Sequence, residues 1–277
     1  MTVLTISSYV TLGYVGNRSI THALEGVGVE VIAMPTVIFS NHPGNPSYSG
    51  FAVNAMELED FFKEINKAQL NSKIKTILTG YFSDKKQVNI VTSAIKKIKS
   101  NLSIVYICDP VIGNERGIFI DKDTAISIQK FLLPLADIIT PNQFEMEFLS
   151  GIKINSIDHI IKASRIILNM GAKAIVLTSC CIDGKNIIIY CQDKSGAWTF
   201  TLPFIDRSTN GAGDLFSALL TYYFNYKKNN LRESVLLAAQ VCWLIIKNSK
   251  NTGEIQVVKY FKKYLNQNLE ITCEKVL

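Results

Sequence analysis

Short runs of β-branched and aromatic residues alternate along the chain with longer stretches whose apolar positions recur every three or four residues. The first pattern predicts strands and the second predicts helices buried on one face. Strands are expected at 3–7, 29–33, 36–39, 75–79, 103–108, 137–140 and 174–178. Helices are expected at 18–24, 56–65, 85–98, 124–132, 144–149 and 157–170. Within 56–65, Leu58, Phe61, Phe62 and Ile65 fall on one helical face. Such alternation predicts a mostly parallel sheet with helices on both faces, a three-layer α/β/α sandwich.

The pattern changes beyond the last of these strands. Two apolar runs, 187–191 and 198–202, flank Asp193-Lys194-Ser195-Gly196 and predict an antiparallel hairpin near one edge of the sheet. Helices are expected at 214–224 and 231–246, with a third apolar-periodic segment at 256–265. Two places lack any period: the turn carrying Gly13 and Gly16, and the polar stretch 40–49, rich in Asn, Pro and Gly. No repeat, low-complexity tract or linker interrupts the chain, so one domain is expected over 1–277.

Composition narrows the class. With 277 residues, 48% of them hydrophobic and 19% charged, the chain has the material for a large core and is not of the disordered type. A chain of this length can bury about three quarters of its surface. The longest apolar stretch, 235–246, is interrupted by Gln240 and falls short of the roughly 20 residues a spanning helix needs. The first residues have no basic start before their apolar run, so a signal peptide is not expected and the cytoplasm is the expected location. The net charge is +6, but Lys and Arg are scattered, and the tightest groups (Lys85-Lys86, Lys96-Lys97-Lys99, Lys262-Lys263) sit on helix-like segments. They read as solvated faces, and nucleic acid is not an expected partner. The six cysteines show no metal-type C-x-x-C spacing and are expected to be reduced, mostly buried thiols.

In open α/β sheets ligands bind beyond the carboxyl ends of the strands. The residues expected there are Ser7-Ser8, Ser40-Asn41-His42, Gly80-Tyr81, Asp109-Pro110, Pro141-Asn142 with Glu145, and Thr178-Ser179. One polar strand end is ordinary, but six would converge on one edge. The segment Thr209-Asn210-Gly211-Ala212-Gly213-Asp214-Leu215-Phe216 places small residues just before an apolar helix. Its free N–H groups make an anion site. It lacks the Lys of a P-loop. A carboxylate beside such amides suits a base that deprotonates an attacking alcohol while the amides hold a transferring phosphoryl group. Asp214 also has a plainer reading, as a carboxylate at a helix N-terminus.

Residues 208–218, STNGAGDLFSA, resemble the C-terminal signature of ribokinase-like small-molecule kinases. Further motifs resemble the pyridoxal kinases within that superfamily: Ser8-Tyr9-Val10 with Gly13-Tyr14-Val15-Gly16-Asn17, Val37-Ile38-Phe39-Ser40-Asn41-His42, and Leu78-Thr79-Gly80-Tyr81. Cys108-Asp109-Pro110-Val111 and Ile139-Thr140-Pro141-Asn142-Gln143-Phe144-Glu145 complete the set, in family order from residue 3 to about residue 247. The resemblance implies a ribokinase-like fold and ATP-dependent phosphorylation of the 5′-hydroxymethyl group of pyridoxal, pyridoxine or pyridoxamine. It implies Asp214 as the base and the amides of Gly211, Ala212 and Gly213 as the anion hole. The substrate would meet Ser8 at its polar edge and Val15, Val37, Phe39 and Tyr81 as walls, with His42 and Pro43 in a closing loop. Asp109 and Glu145 would orient Mg²⁺, and Thr140, Asn142, Thr178 and Ser179 would line the nucleotide phosphates. The resemblance also allows for a monovalent cation and implies a homodimer.

Three departures bear on the substrate. Pro43 stands where many relatives carry Thr, Asn114 where relatives often carry Asp, and Thr209-Asn210 looks like the general sugar kinases. That last pair is expected to touch substrate. A hydroxymethylpyrimidine kinase shares the superfamily and the base, but the Phe-Ser-Asn-His run of 39–42 argues against it. A catalytically idle vitamin-binding regulator on this fold would have no need of Asp214. Two mobile covers are expected over the site, 41–49 at the substrate and 192–197 at the nucleotide.

Overall fold

Side chains at successive strand positions leave opposite faces of the sheet, and this alternation divides the core in two. The computed structural model describes residues 2–67, 70–206, 209–249, 253–267 and 269–277; Ser208 of the signature lies outside the described residues. The first half of the chain forms β1 (Thr2–Val10), α1 (Asn17–Gly26), β2 (Glu30–Phe39), β3 (Gly50–Ala52), α2 (Ala55–Lys67), β4 (Ile74–Thr79), α3 (Lys85–Asn101) and β5 (Val105–Cys108). A small hairpin follows, β6 (Gly113–Asn114) and β7 (Gly117–Ile118), then α4 (Lys122–Ser127) and β8 (Ile138–Ile139). The second half forms α5 (Gln143–Ser150), α6 (Ile157–Asn169), β9 (Ile175–Cys180), β10 (Asn186–Asp193), β11 (Gly196–Pro203), α7 (Ala212–Thr221), α8 (Leu231–Asn248), α9 (Val257–Tyr264) and β12 (Thr272–Lys275).

The main sheet has the order β12-β11-β10-β9-β8-β5-β4-β1-β2-β3. From β9 to β2 every pairing is parallel, and the flanking strands β3, β10, β11 and β12 run antiparallel to their neighbours. Leu4, Ile77, Tyr106, Ile139 and Ile175 enter one core, closed by Leu58, Val91, Ile95, Met146 and Ile160 of α2, α3, α5 and α6. Val3, Leu78, Ile107, Ile138 and Val176 enter the other, closed by Ile20, Leu215, Val235 and Phe261 of α1, α7, α8 and α9. This is the expected three-layer α/β/α sandwich.

Several boundaries differ from the pattern reading, each for a local reason. The two strands expected at 29–33 and 36–39 are one strand, β2, which runs through Pro35. The pairing with β1 shifts register between Ser7 and Tyr9, and the Asn17 side-chain amide donates to the carbonyls of Ser7 (3.0 Å) and Met34 (2.9 Å). A bulge and one buried amide thus absorb the N–H that proline lacks. Strands β3, β6, β7 and β12 were not predicted; they have two to four residues each, too few for a readable alternation. The expected cover at 192–197 is overturned. Gln192 pairs with Ile175 at the start of β9, so the β10–β11 turn lies at the opposite end of the sheet from Thr178 and Ser179. Antiparallel return carried it there. All six cysteines are free thiols, and among the described residues no helix is long and apolar enough to cross a membrane.

Candidate active site

The start of α7 is shaped by close backbone contact. Gly211 has a left-handed φ of 87°, and a Cβ there would lie 2.0 Å from the Tyr14 carbonyl oxygen, so only glycine fits. The β1–α1 turn is thereby laid against the helix start, and the Gly16 N–H donates to Asp214 Oδ2 at 2.8 Å. Gly16 in turn abuts Ser8: a Cβ on it would sit 2.2 Å from the Ser8 carbonyl and 2.3 Å from its hydroxyl. Ser8 itself lies inside β1, half-buried, rather than beyond the strand end. Asp214 is half-buried, and burial pushes its carboxyl up to about 6, opposed by the Gly16 amide. The N–H groups of Ala212, Gly213 and Asp214 point out of the first helical turn without an intrahelical acceptor. The space that a Cβ on Gly213 would occupy has no atom within 4 Å, so a ligand can reach these amides.

Behind this helix start lies a row of carboxylates. Asp109 follows β5, is buried, and accepts from Ser217 Oγ at 3.0 Å. Ser217 stands three residues after Asp214, hence on the same face of α7, and its hydroxyl also meets Thr140 Oγ1 at 3.3 Å. Burial and then the Asp214 charge raise the Asp109 pKa, against the Ser217 hydrogen bond. Burial and then Asp109 likewise raise Glu145, against three backbone amides. Those amides belong to Ile112 (3.0 Å), Gly113 (3.5 Å) and Asn142 (2.9 Å). Asn142 caps α5 in return, its Oδ1 accepting from Glu145 N at 2.9 Å and its Nδ2 donating to the Gly113 carbonyl at 2.8 Å. Glu145 therefore fixes the backbone that follows Asp109. Among the described residues no three His, Cys, Asp or Glu side chains converge on one metal position.

The expected substrate residues line up on the other side. Val15 is buried and Val37 wholly enclosed, so Val37 backs a wall rather than facing a cavity. Phe39 is half-buried with its ring edge-on to Tyr48, centroids 5.3 Å apart. Tyr81 is half-buried, its N–H donating to Ser7 Oγ (3.2 Å) and its carbonyl accepting from Thr36 Oγ1 (2.7 Å). His42 is half-buried, and Pro43 beside it is exposed. His42 Nδ1 accepts from Gly44 N at 3.0 Å and lies 3.4 Å from Asn210 Nδ2. Burial lowers the His42 pKa, and the Glu254 charge opposes this. At the far end Thr178 and Ser179 lie within β9, half-buried, with Thr178 N and Oγ1 both donating to the Pro141 carbonyl.

Two site residues escaped the sequence reading. Ser217 carries a readable signal, its three-residue spacing from Asp214. Glu254 carries none: its Oε2 accepts from Tyr14 N at 3.1 Å, 240 residues away.

Comparison with known proteins agrees with this geometry. The family described as phosphomethylpyrimidine kinase matches residues 22–259. The pyridoxal kinase of Homo sapiens is 34% identical over an alignment 248 residues long that covers 83% of this chain and 79% of the human protein. The crystal structure of pyridoxal kinase from Entamoeba histolytica superposes with a TM-score of 0.95 at 29% identity, covering 99% of each chain. The pyridoxal kinase of Leishmania donovani in complex with ADP and pyridoxine superposes with a TM-score of 0.92 at 25% identity, covering 100% of this chain and 99% of that one. With a family match over residues 22–259 and a human relative 34% identical across 83% of it, the chain belongs to the pyridoxal kinase family.

Proposed function

We propose that this protein transfers the γ-phosphoryl group of ATP to the 5′-hydroxymethyl group of pyridoxal, and of pyridoxine and pyridoxamine, in vitamin B6 salvage. The observation that carries the reading is Asp214, a partly screened carboxylate set among outward-pointing helix N–H groups. Asp214 takes the proton of the substrate hydroxyl as its oxygen attacks the γ-phosphorus. The bond from that phosphorus to the ADP oxygen breaks, and ADP leaves with the electron pair. The N–H groups of Gly211, Ala212 and Gly213 hold the transferring oxygens. Ser8, His42, Phe39 and Tyr81 orient the ring, Val15 and Pro43 enclose it, and Val37 backs the wall behind them. Thr178 and Ser179 meet the nucleotide, whereas Thr140 and Asn142 act through Ser217 and the Asp109 loop.

The carboxylates fit Mg²⁺ carried in with the nucleotide. Asp109 gives one oxygen to Ser217 and, among the described residues, makes no hydrogen bond with the other. Glu145 has both oxygens on backbone amides and acts by holding Asp109 in place. A hard cation with mostly water and phosphate ligands suits such a sparse donor set, and when bound it neutralises charge on the phosphates. A homodimer in the cytoplasm completes the reading, supported by the family resemblance and by the apolar margin at β3.

The test compares initial rates with pyridoxal, pyridoxine, pyridoxamine and hydroxymethylpyrimidine, with ATP and Mg²⁺, for the natural protein and Asp214→Asn. The vitamers should react, and the variant should lose turnover by about 10²-fold or more. Turnover of the pyrimidine alone would move the protein to the rival kinase. Binding of pyridoxal without any reaction would make it a regulator.

A further inference from the structure

We propose that Asn210 is a positioning residue that ties the substrate loop, through His42, to the helix start carrying the base. The substrate named here rests on the kinase reading above; the latch itself does not.

The backbone of Asn210 is held from both sides. Its N–H donates to the Gly253 carbonyl at 2.9 Å, and its own carbonyl accepts from Ile255 N at 3.1 Å. The next residue, Gly211, is pressed against the Tyr14 carbonyl. With its origin fixed, the Asn210 side chain reaches His42 Nδ1 at 3.4 Å, across 168 residues of sequence. The same nitrogen accepts from the Gly44 N–H at 3.0 Å. A backbone amide can only donate, so Nδ1 is a bare acceptor and the proton of the neutral ring sits on Nε2. Asn210 therefore donates.

The loop it holds is otherwise tied mainly to itself. Ser40 N donates to the Ser49 carbonyl, Ser49 N to Ser40 Oγ, and Asn41 Nδ2 to the Ser47 carbonyl. These bonds make 40–49 a unit hung between β2 and β3. At its base the Ser40 carbonyl accepts from Leu12 N at 2.8 Å and Thr11 Oγ1 at 2.7 Å; beyond Ser40, among the described residues, the contact with Asn210 is the one hydrogen bond that leads from 41–49 to a segment outside the loop. Losing it frees the loop from the side of the site that holds Asp214, while leaving the amides that meet the phosphates untouched. Substrate binding should weaken more than nucleotide binding or chemistry.

Two experiments test this. In the first, ligand-free protein is digested with chymotrypsin and cleavage after Tyr48, exposed in the loop, is timed by mass spectrometry. Asn210→Ala should be cut there about 5-fold faster or more, with cleavage elsewhere unchanged. His42→Asn, which keeps an acceptor oxygen near the position of Nδ1, should stay close to the natural rate. Unchanged cleavage at Tyr48, or equal acceleration at every site, would overturn the assignment. Because no substrate enters, this readout stands even if no vitamer is phosphorylated.

In the second, Asn210→Ala should raise KM for pyridoxal about 10-fold, with a smaller change in kcat than in KM and KM for ATP within about twofold. Combining it with His42→Ala should cost no more than His42→Ala alone, because both remove one bond. Additive losses, or equal increases in both KM values, would refute the latch.

Discussion

Asp214 is pulled two ways, upward by enclosure and downward by the Gly16 N–H, and comes to rest at about 6. A base works only when ionised, so kcat/KM for pyridoxal should rise with pH through about 6 and level off near neutrality. Rates measured from pH 5 to 8 check this; a profile flat down to pH 5 would remove Asp214 as the titrating base. The same enclosure acts on stability. Asp214, Asp109 and Glu145 all bind their protons more tightly folded than unfolded. Their contribution is therefore fully present below the ordinary carboxylate range near pH 4 and is lost as pH rises through 6 and beyond. At neutral pH the row is a strain that the fold tolerates. Asp109→Asn keeps an acceptor for Ser217 and replaces a carboxyl that ionises freely only when unfolded, so at pH 7.5 it should stabilise the ligand-free protein by about 1–3 kcal/mol while abolishing most activity. Thermal melts at pH 7.5 and pH 5 check both size and sign, since the gain should shrink at the lower pH.

The start of α7 separates what glycine does for the fold from what it does for the chemistry. A Cβ on Gly211 would collide with the Tyr14 carbonyl at 2.0 Å and sit at a φ of 87°, whereas one on Gly213 would meet open space. Gly211→Ala should thus cost about 2 kcal/mol or more and, by shifting the Gly13–Gly16 turn, lower turnover as well. Gly213→Ala should leave the melting temperature within about 2 °C yet lower kcat, because its methyl group occupies the ligand's place at the amides. Equal stability losses in the two variants would contradict this division. The helix start was legible in the sequence because all its parts are local: small residues, a carboxylate and an apolar period within eight positions. Glu145 was legible as a carboxylate beyond a strand end, but not its amide bonds to 112 and 113, which hold the backbone that follows Asp109. Asn17, Asn210 and Glu254 were not assigned these contacts, because each takes its partners from segments that only the folded chain brings together. The β10–β11 turn was assigned to the wrong end for a related reason: periodicity identifies a hairpin but not which edge of the sheet its turn reaches.

At the scale of the molecule, alternation of strand and helix foretold a parallel sheet between helical layers, but not the strand order or its outermost members. One of those members bears on assembly. β3 is hydrogen-bonded to β2 on one side and forms the outer edge of the sheet. Along this margin Phe51 of β3, Leu12 after β1 and Met56 at the start of α2 are 59%, 72% and 72% exposed. An apolar sheet edge left open invites pairing with another chain, and a second copy offers the same surface in return. Sedimentation at micromolar concentration should give about twice the 30.9 kDa chain mass, and Phe51→Glu should shift it to the monomer without lowering the melting temperature. A natural protein that sediments as a monomer would refute the dimer, and a Phe51→Glu protein that stays dimeric would move the interface elsewhere. The edge also carries function, because the substrate loop leaves β2 and returns into β3. A partner seated there would brace the end of that loop at β3 while Asn210 holds it at His42, so the Phe51→Glu monomer should bind pyridoxal more weakly and ATP about as well as the dimer does.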